Sequence, residues 1–330
     1  MKRIAFLLLA LACALPAHAG KRYAYDRVGN PIDIAPQTTR GVVLMGGGTE
    51  VDSSMRKLCA WTNGGDFLVI RATGTDAYNP YVQDICPGLN SVATLVIPSK
   101  SAAADAFVGQ TIRAAEAIWI AGGAQDDYIN YWTGTPVQDA LNESIARGVP
   151  IGGTSAGLAV LTQYVYSALG SKGVTSAQAL VDPYNRYITL AYGFVNLPVL
   201  QRVIGDTHFV TRDRMGRALA FLCRITNAGW DDKPRAIAVD EETALEIPAD
   251  GPATVASNSV GGKVYFLSSV APAEVCAPKS LLTFRNVDVY RVGPTGTFDL
   301  VNWTGSGGTA YQVSADSGVL TSTQAGGAIY

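Results

Sequence analysis

Two residues carry the first chemical signal in this chain: Ser155, centred in Gly153-Thr154-Ser155-Ala156-Gly157, and His208, about fifty positions later. The pentapeptide matches G-x-S-x-G, in which a strand turns sharply into a helix and leaves the serine hydroxyl exposed. A serine hydroxyl is a weak nucleophile near pH 7 unless a base takes its proton, and histidine, with an unperturbed pKa near 6.5, is the usual base. The chain has two histidines, His18 and His208. His18 lies in a segment that reads as removable, which leaves His208 as the partner.

That segment has Lys2 and Arg3 ahead of an apolar run over residues 4–15, then Ala17-His18-Ala19 before Gly20. It reads as a secretory leader over 1–19 with an A-x-A site after Ala19. The run is too short for a membrane span, which needs about 20 residues, so an exported protein, periplasmic or extracellular, is expected. Loss of the leader removes two of the 25 basic residues and none of the 27 acids, leaving a formal charge near −4. Neither that balance nor any basic run suggests a nucleic-acid partner. One histidine and no C-x-x-C make a metal site unexpected, and no cofactor is called for. Four cysteines remain, Cys59, Cys86, Cys223 and Cys276. In an oxidising compartment they suggest two disulfides, with three connectivities open; sequence proximity favours Cys59 with Cys86 and Cys223 with Cys276.

The positioning elements follow from hydrophobic pattern. Short apolar runs at 41–45, 67–70, 92–97 and 117–120 read as buried parallel strands, for which continuous rather than alternating hydrophobicity is expected. Between them, 101–115 and 137–147 read as helices, the second closed by Gly148. Residues 149–152 form the strand entering the Ser155 turn, and 156–169 the helix leaving it. This alternation predicts an α/β fold with a doubly wound, mostly parallel sheet flanked by helices. Ligands in such sheets bind beyond the carboxyl ends of the strands, so Gly46-Gly47-Gly48 and Gly122-Gly123 should lie near Ser155. The triple glycine lacks a P-loop lysine and reads as a tight backbone turn. From about 236 the texture becomes β, with runs at 236–239, 263–267, 287–292 and 310–313. Residues 20–330 thus read as a single domain with a β-rich C-terminal extension.

The second chemical constellation is Asp206-Thr207-His208-Phe209-Val210-Thr211-Arg212-Asp213-Arg214-Met215-Gly216-Arg217. With Gly152-Gly153-Thr154-Ser155-Ala156-Gly157, Ala121-Gly122-Gly123-Ala124-Gln125 and Ala238-Val239-Asp240-Glu241-Glu242-Thr243-Ala244, it resembles the cyanophycinase family, relatives of the aspartyl dipeptidases among serine peptidases. The resemblance runs from about Gly41 onward and implies a class I glutamine-amidotransferase-like fold. It implies Ser155 as nucleophile, His208 as general base and then acid, and the amides of Gly123 and Ala156 as oxyanion donors. It also implies a substrate pocket of Gln125, Asp206, Thr207, Arg212, Arg214 and Arg217. The substrate would be cyanophycin, multi-L-arginyl-poly-L-aspartate, cleaved by an exopeptidase to β-Asp-Arg dipeptides through an acyl-enzyme.

Two positions depart from that pattern. Cyanophycin-degrading members carry glutamine where this chain has Thr207, and they place a carboxylate near Gln178. No acid occurs between Ser155 and Asp182, so Gln178, or Asp182 as the nearest acid, is the expected orienting residue. A β-aspartyl dipeptidase-like hydrolase and a non-catalytic binding protein on the same scaffold stand as alternatives. A lipase-like α/β-hydrolase fits less well, since it places its histidine late in the chain. Peptide or cyanophycin is the expected partner, and a homodimer is left open.

Overall fold

In the computed structural model, residues 22–170 and 172–330 are described; the leader expected at 1–19 lies outside them. Five strands form the kernel, in the spatial order Ser91–Val96, Asp66–Arg71, Ala117–Ile120, Ile151–Thr154, Gly41–Met45, all parallel to their neighbours. They are the runs that show continuous hydrophobicity, because both faces of the sheet are covered. Leu44, Leu68, Ile70, Ile118 and Ile120 face a cluster completed by the helices Ala106–Ala114 and Pro136–Arg147. The alternating residues Val43, Met45, Phe67, Val69 and Trp119 face a second cluster with the helices Asp52–Trp61 and Tyr78–Ile85. Each such buried side chain contributes about 1.5–3 kcal/mol.

The expectation of one mostly parallel sheet needs correction: the described strands form two sheets, and ten of the sixteen pairings are antiparallel. Eight of the ten involve strands from Arg235 onward, three of them hairpins closed by short turns, which join only antiparallel neighbours. Thr243–Pro248, Ala253–Ser257, Thr297–Asp299 and Thr304–Ser306 continue the first sheet beyond Gly41–Met45. The second sheet runs Val319–Ser322, Thr309–Asp316, Phe284–Val292, Val264–Ser268, Arg235–Val239, Val203–Asp206, Tyr164–Tyr166, Leu190–Tyr192. One face, with Ile237, Val239, Phe266 and Val292, joins the first cluster. The other packs Ala236, Leu267, Val289 and Val313 against the helix Met215–Asn227.

Two helices are shorter than their patterns suggest. The 101–115 segment breaks into Lys100–Ala103 and Ala106–Ala114, because Asp105 takes a cap position and its carboxylate accepts from the Phe107 amide at 2.9 Å. The helix after Ser155 stops at Ala159. Tyr164-Val165-Tyr166, β-branched and aromatic, then goes extended and pairs with Leu190–Tyr192. Disulfides join Cys59 to Cys86 and Cys223 to Cys276, the pairing that sequence proximity favours. They staple the Asp52–Trp61 helix to the end of Tyr78–Ile85, and the Met215–Asn227 helix to the loop carrying Cys276. No helix among the described residues is long and apolar enough to cross a membrane.

Candidate active site

Ser155 sits where the strand Ile151–Thr154 meets the helix Ala156–Ala159, with φ 52° and ψ −115°. Such a conformation is sparsely populated for a residue with a side chain and persists only when its surroundings hold it. Here the Ser155 amide donates to the Met45 carbonyl at 3.0 Å, tying the turn to the neighbouring strand. Gly157 lets the turn close: a Cβ there would fall 1.9 Å from the Ile120 carbonyl oxygen. The Ser155 hydroxyl is thereby presented to His208, whose Nε2 lies 2.7 Å from Oγ.

His208 follows the strand Val203–Asp206 and adopts φ 48°. Its amide donates to the Gly46 carbonyl at 2.8 Å. Gly47 leaves room for the ring, since a Cβ there would lie 2.3 Å from His208 Cε1. The triple-glycine turn is therefore the seat of the imidazole. On the far side of the ring, Nδ1 lies 2.5 Å from Glu241 Oε1. With Nδ1–H donating to that carboxylate, Nε2 is left as the acceptor facing the serine.

Glu241 is the residue that the sequence reading missed, and it corrects the expectation for the orienting group. The Gln178 side chain accepts from the Thr175 amide at 3.1 Å in a capping box that starts the helix Ser176–Val181. Asp182, just past that helix, accepts from the amides of Tyr184 at 2.9 Å and Lys279 at 3.0 Å. Both are engaged by backbone amides rather than by the imidazole. Topology supplies Glu241 instead: Arg235–Val239 runs parallel to Val203–Asp206 with Ala238 beside Asp206, so residues just past both strand ends lie side by side. The acidic run Asp240-Glu241-Glu242 after a strand pattern was the available signal, within a stretch already matched to the family.

Burial pushes the His208 pKa below its ordinary value, helped by the cations of Arg212 and Arg214 and opposed by the bond to Glu241. Burial acts to raise the Glu241 carboxyl, but hydrogen bonds from His208 and Thr211 and the charge of Arg212 hold it below the usual range. The pair therefore stands as a neutral imidazole against a carboxylate near neutral pH, the arrangement a base requires.

The remaining candidates divide into engaged and open groups. Asp206 and Arg217, each with a side chain only 3% exposed, form a buried ion pair, with Arg217 Nε 2.9 Å from Asp206 Oδ2. Arg214 stands 3.5 Å from Asp206 and donates to the Thr207 carbonyl at 2.6 Å and to its hydroxyl at 3.2 Å. Burial lowers the Arg214 pKa to about 10. Gln125, the first residue of the helix Gln125–Trp132, donates to the Tyr166 carbonyl at 3.1 Å. The Tyr166 ring lies 5.0 Å from the Arg217 guanidinium. Arg212 differs: its side chain is 54% exposed and its nearest acid is Glu241, 3.9 Å away. It is the cation of the block that is presented to solvent.

Ala156 opens its helix, so its amide has no partner within that helix. The Gly122-Gly123 stretch runs alongside, with a Cβ at Gly122 falling 3.6 Å from Ser155 Cβ. Among the described residues, the one cluster with metal-ligand spacing is Asp33, Asp66 and Glu116; none of the three belongs to this site, and Asp66 already accepts from Arg27 and Asn90.

Comparison with known proteins bears on this constellation. Residues 42–250 match the model of Peptidase family S51. A cyanophycinase from Trichormus variabilis is 29% identical over 165 residues, 50% of each chain. One from Geminocystis herdmanii is 32% identical over 135 residues, 41% of this chain and 43% of the relative. The chain thus spans about half the length of these curated relatives. A crystal structure of a peptidase from an acI-B1 Actinobacterium superposes with a TM-score of 0.49 at 16% identity, covering 71% of this chain and 96% of that one. The family model covers well over half of the sequence and contains Ser155, His208 and Glu241: the chain belongs to Peptidase family S51.

Proposed function

We propose that the chain is an exported serine-type exopeptidase that cleaves cyanophycin to β-Asp-Arg dipeptides, with Ser155, His208 and Glu241 as its catalytic triad. The observation that carries this reading is the continuous relay from Ser155 Oγ through both ring nitrogens of His208 to the Glu241 carboxylate. His208 Nε2 takes the Ser155 proton as Oγ bonds to the scissile carbonyl carbon. The oxyanion that develops faces the amides of Gly123 and Ala156, and such donors each contribute about 3–4 kcal/mol in the transition state. The imidazolium then gives its proton to the departing amine, the C–N bond breaks and an acyl-serine remains. A water, deprotonated by His208, attacks that ester, releases the carboxylic product and restores the serine.

For the substrate, the exposed Arg212 guanidinium is the group suited to a carboxylate of the aspartate backbone or of the released dipeptide. Asp206, Arg214 and Arg217 hold one another and, with Gln125 and Thr207, form the polar wall behind it. Thr207 favours a second reading: its hydroxyl is short and engaged by Arg214, so the pocket lacks the long amide arm of cyanophycin-degrading members, which suits small β-aspartyl peptides. Two disulfides support an oxidising, extracytoplasmic location, and 20–330 is read as one catalytic domain behind a 1–19 leader. The test is digestion of cyanophycin and of β-Asp-Arg itself, with products identified by mass. Release of the dipeptide supports the main reading, and cleavage of β-aspartyl dipeptides alone moves the assignment to the second. Turnover of neither, by folded protein, removes both.

A further inference from the structure

Residues 324–330 lie outside the segment that matches the family, yet they reach the loop that carries His208. The Tyr330 hydroxyl donates to Asp213 Oδ1 at 2.7 Å and accepts from the Met215 amide at 2.9 Å. Its ring stands edge-on to Phe209, centroids 5.6 Å apart, and to Tyr265 at 6.1 Å. Phe209 is the residue after His208, Asp213 separates Arg212 from Arg214, and Met215 begins the Met215–Asn227 helix. One side chain thus touches the loop at three points between the general base and the helix that anchors it.

The tail is itself anchored. Tyr311 donates to the Ile329 carbonyl at 3.0 Å, and within the segment Gln324 fixes its fold by donating to the carbonyls of Ala328 at 2.8 Å and Tyr330 at 3.4 Å. The loop has something to gain from such a brace, because His208 and Asp213 both hold left-handed conformations, φ 48° and 46°. Strain of this kind persists only where neighbouring structure over-determines it. Burial and the neighbouring Asp213 carboxylate push the Tyr330 phenol above its ordinary pKa, against the bond from Met215, so it stays a neutral donor wherever the base works.

We infer that Tyr330 is a positioning residue: it latches the 208–215 loop so that His208 stays aligned on Ser155 and Arg212 stays turned toward the substrate. This rests on the serine-peptidase reading, and its test separates the two. Tyr330→Phe keeps the ring and removes both hydrogen bonds. Hydrogen exchange of the amides over 209–215 and the rate of fluorophosphonate labelling of Ser155 are measured for both proteins, with kcat and KM on the peptide substrate. The latch predicts faster exchange confined to this loop and its contacts, with labelling and kcat each about fivefold or more slower for the loss of two bonds. Unchanged exchange overturns the latch whatever the activity. Faster exchange with wild-type labelling overturns it too, since the tail would then be purely structural. If wild-type protein turns over no peptide, the serine-peptidase reading fails, while exchange still decides whether the tail pins the loop.

Discussion

Glu241→Gln isolates the element of the proposed triad that topology supplies and that no spacing rule points to. The substitution preserves size and removes one charge at a position 2.5 Å from His208 Nδ1. A hydrogen bond to a charged group is worth about 1.5–3 kcal/mol, so loss of the charge alone lowers kcat about 10- to 150-fold at about 1.4 kcal/mol per tenfold. If the new amide turns its NH2 toward Nδ1, the ring is forced into the opposite tautomer, and Nε2 can no longer accept the serine proton. The loss then approaches the order of 10⁴ that follows from the same exchange in the archetypal triad. The pH profile adds a second readout. His208 already titrates below its ordinary 6.5, chiefly through burial, and Glu241 opposes that shift. Removing Glu241 moves the acid limb of kcat/KM to lower pH while the plateau falls. The assay is peptide turnover from pH 4 to 9, with denaturant midpoints to confirm folding and Gln178→Ala as the control. A Glu241→Gln enzyme with wild-type kcat and an unmoved acid limb, or a Gln178→Ala enzyme with the larger loss, would refute the reasoning.

Three further perturbations probe the surroundings. Burial raises the Glu50 carboxyl from 4.5 to about 7, beside the Tyr78 hydroxyl and Thr154. A raised acid favours the fold below its unfolded pKa and loses that advantage as pH rises through the folded one, about 3 kcal/mol between pH 4.5 and 7. Glu50→Gln should remove that slope from denaturant midpoints, and an unchanged slope would show that Glu50 is not its source. Arg212→Ala should lower turnover of a carboxylate-bearing substrate about 10- to 150-fold and leave an uncharged ester nearly untouched; equal effects on both substrates would remove its binding role. Reduction should raise the intact mass by about four hydrogens, as two bridges require, and lower the unfolding midpoint; four freely alkylated thiols in native protein would contradict the pairing.

How much of this was legible before the structure depends on how locally each feature is encoded. The Ser155 turn was readable because strand, glycine and serine are contiguous, and the kernel strands because burial on both faces demands unbroken hydrophobicity. Four strands of the second sheet were readable as β runs after 236, but its pairing was not, since partners such as Arg235–Val239 and Val203–Asp206 are set by tertiary packing. The same long-range pairing hid Glu241: the stretch after the serine offers only the amide Gln178 and the acid Asp182, whose side chains bond to backbone, while the acid at the imidazole sits 33 residues beyond His208 in sequence. The block at 206–217 showed three arginines alike. Only packing separates buried Arg217 and braced Arg214 from exposed Arg212.

The central claim is that Ser155 is a nucleophile activated by His208, and covalent labelling reads it most directly. Native protein is treated with a fluorophosphonate, digested, and the adduct located by mass spectrometry, alongside Ser155→Ala and His208→Ala. The account predicts a single adduct on Ser155, absent from the first variant and formed at least about a hundredfold more slowly in the second, as loss of a general base requires. No adduct on folded wild-type protein, an adduct on another residue, or His208→Ala labelled as fast as wild type would contradict it.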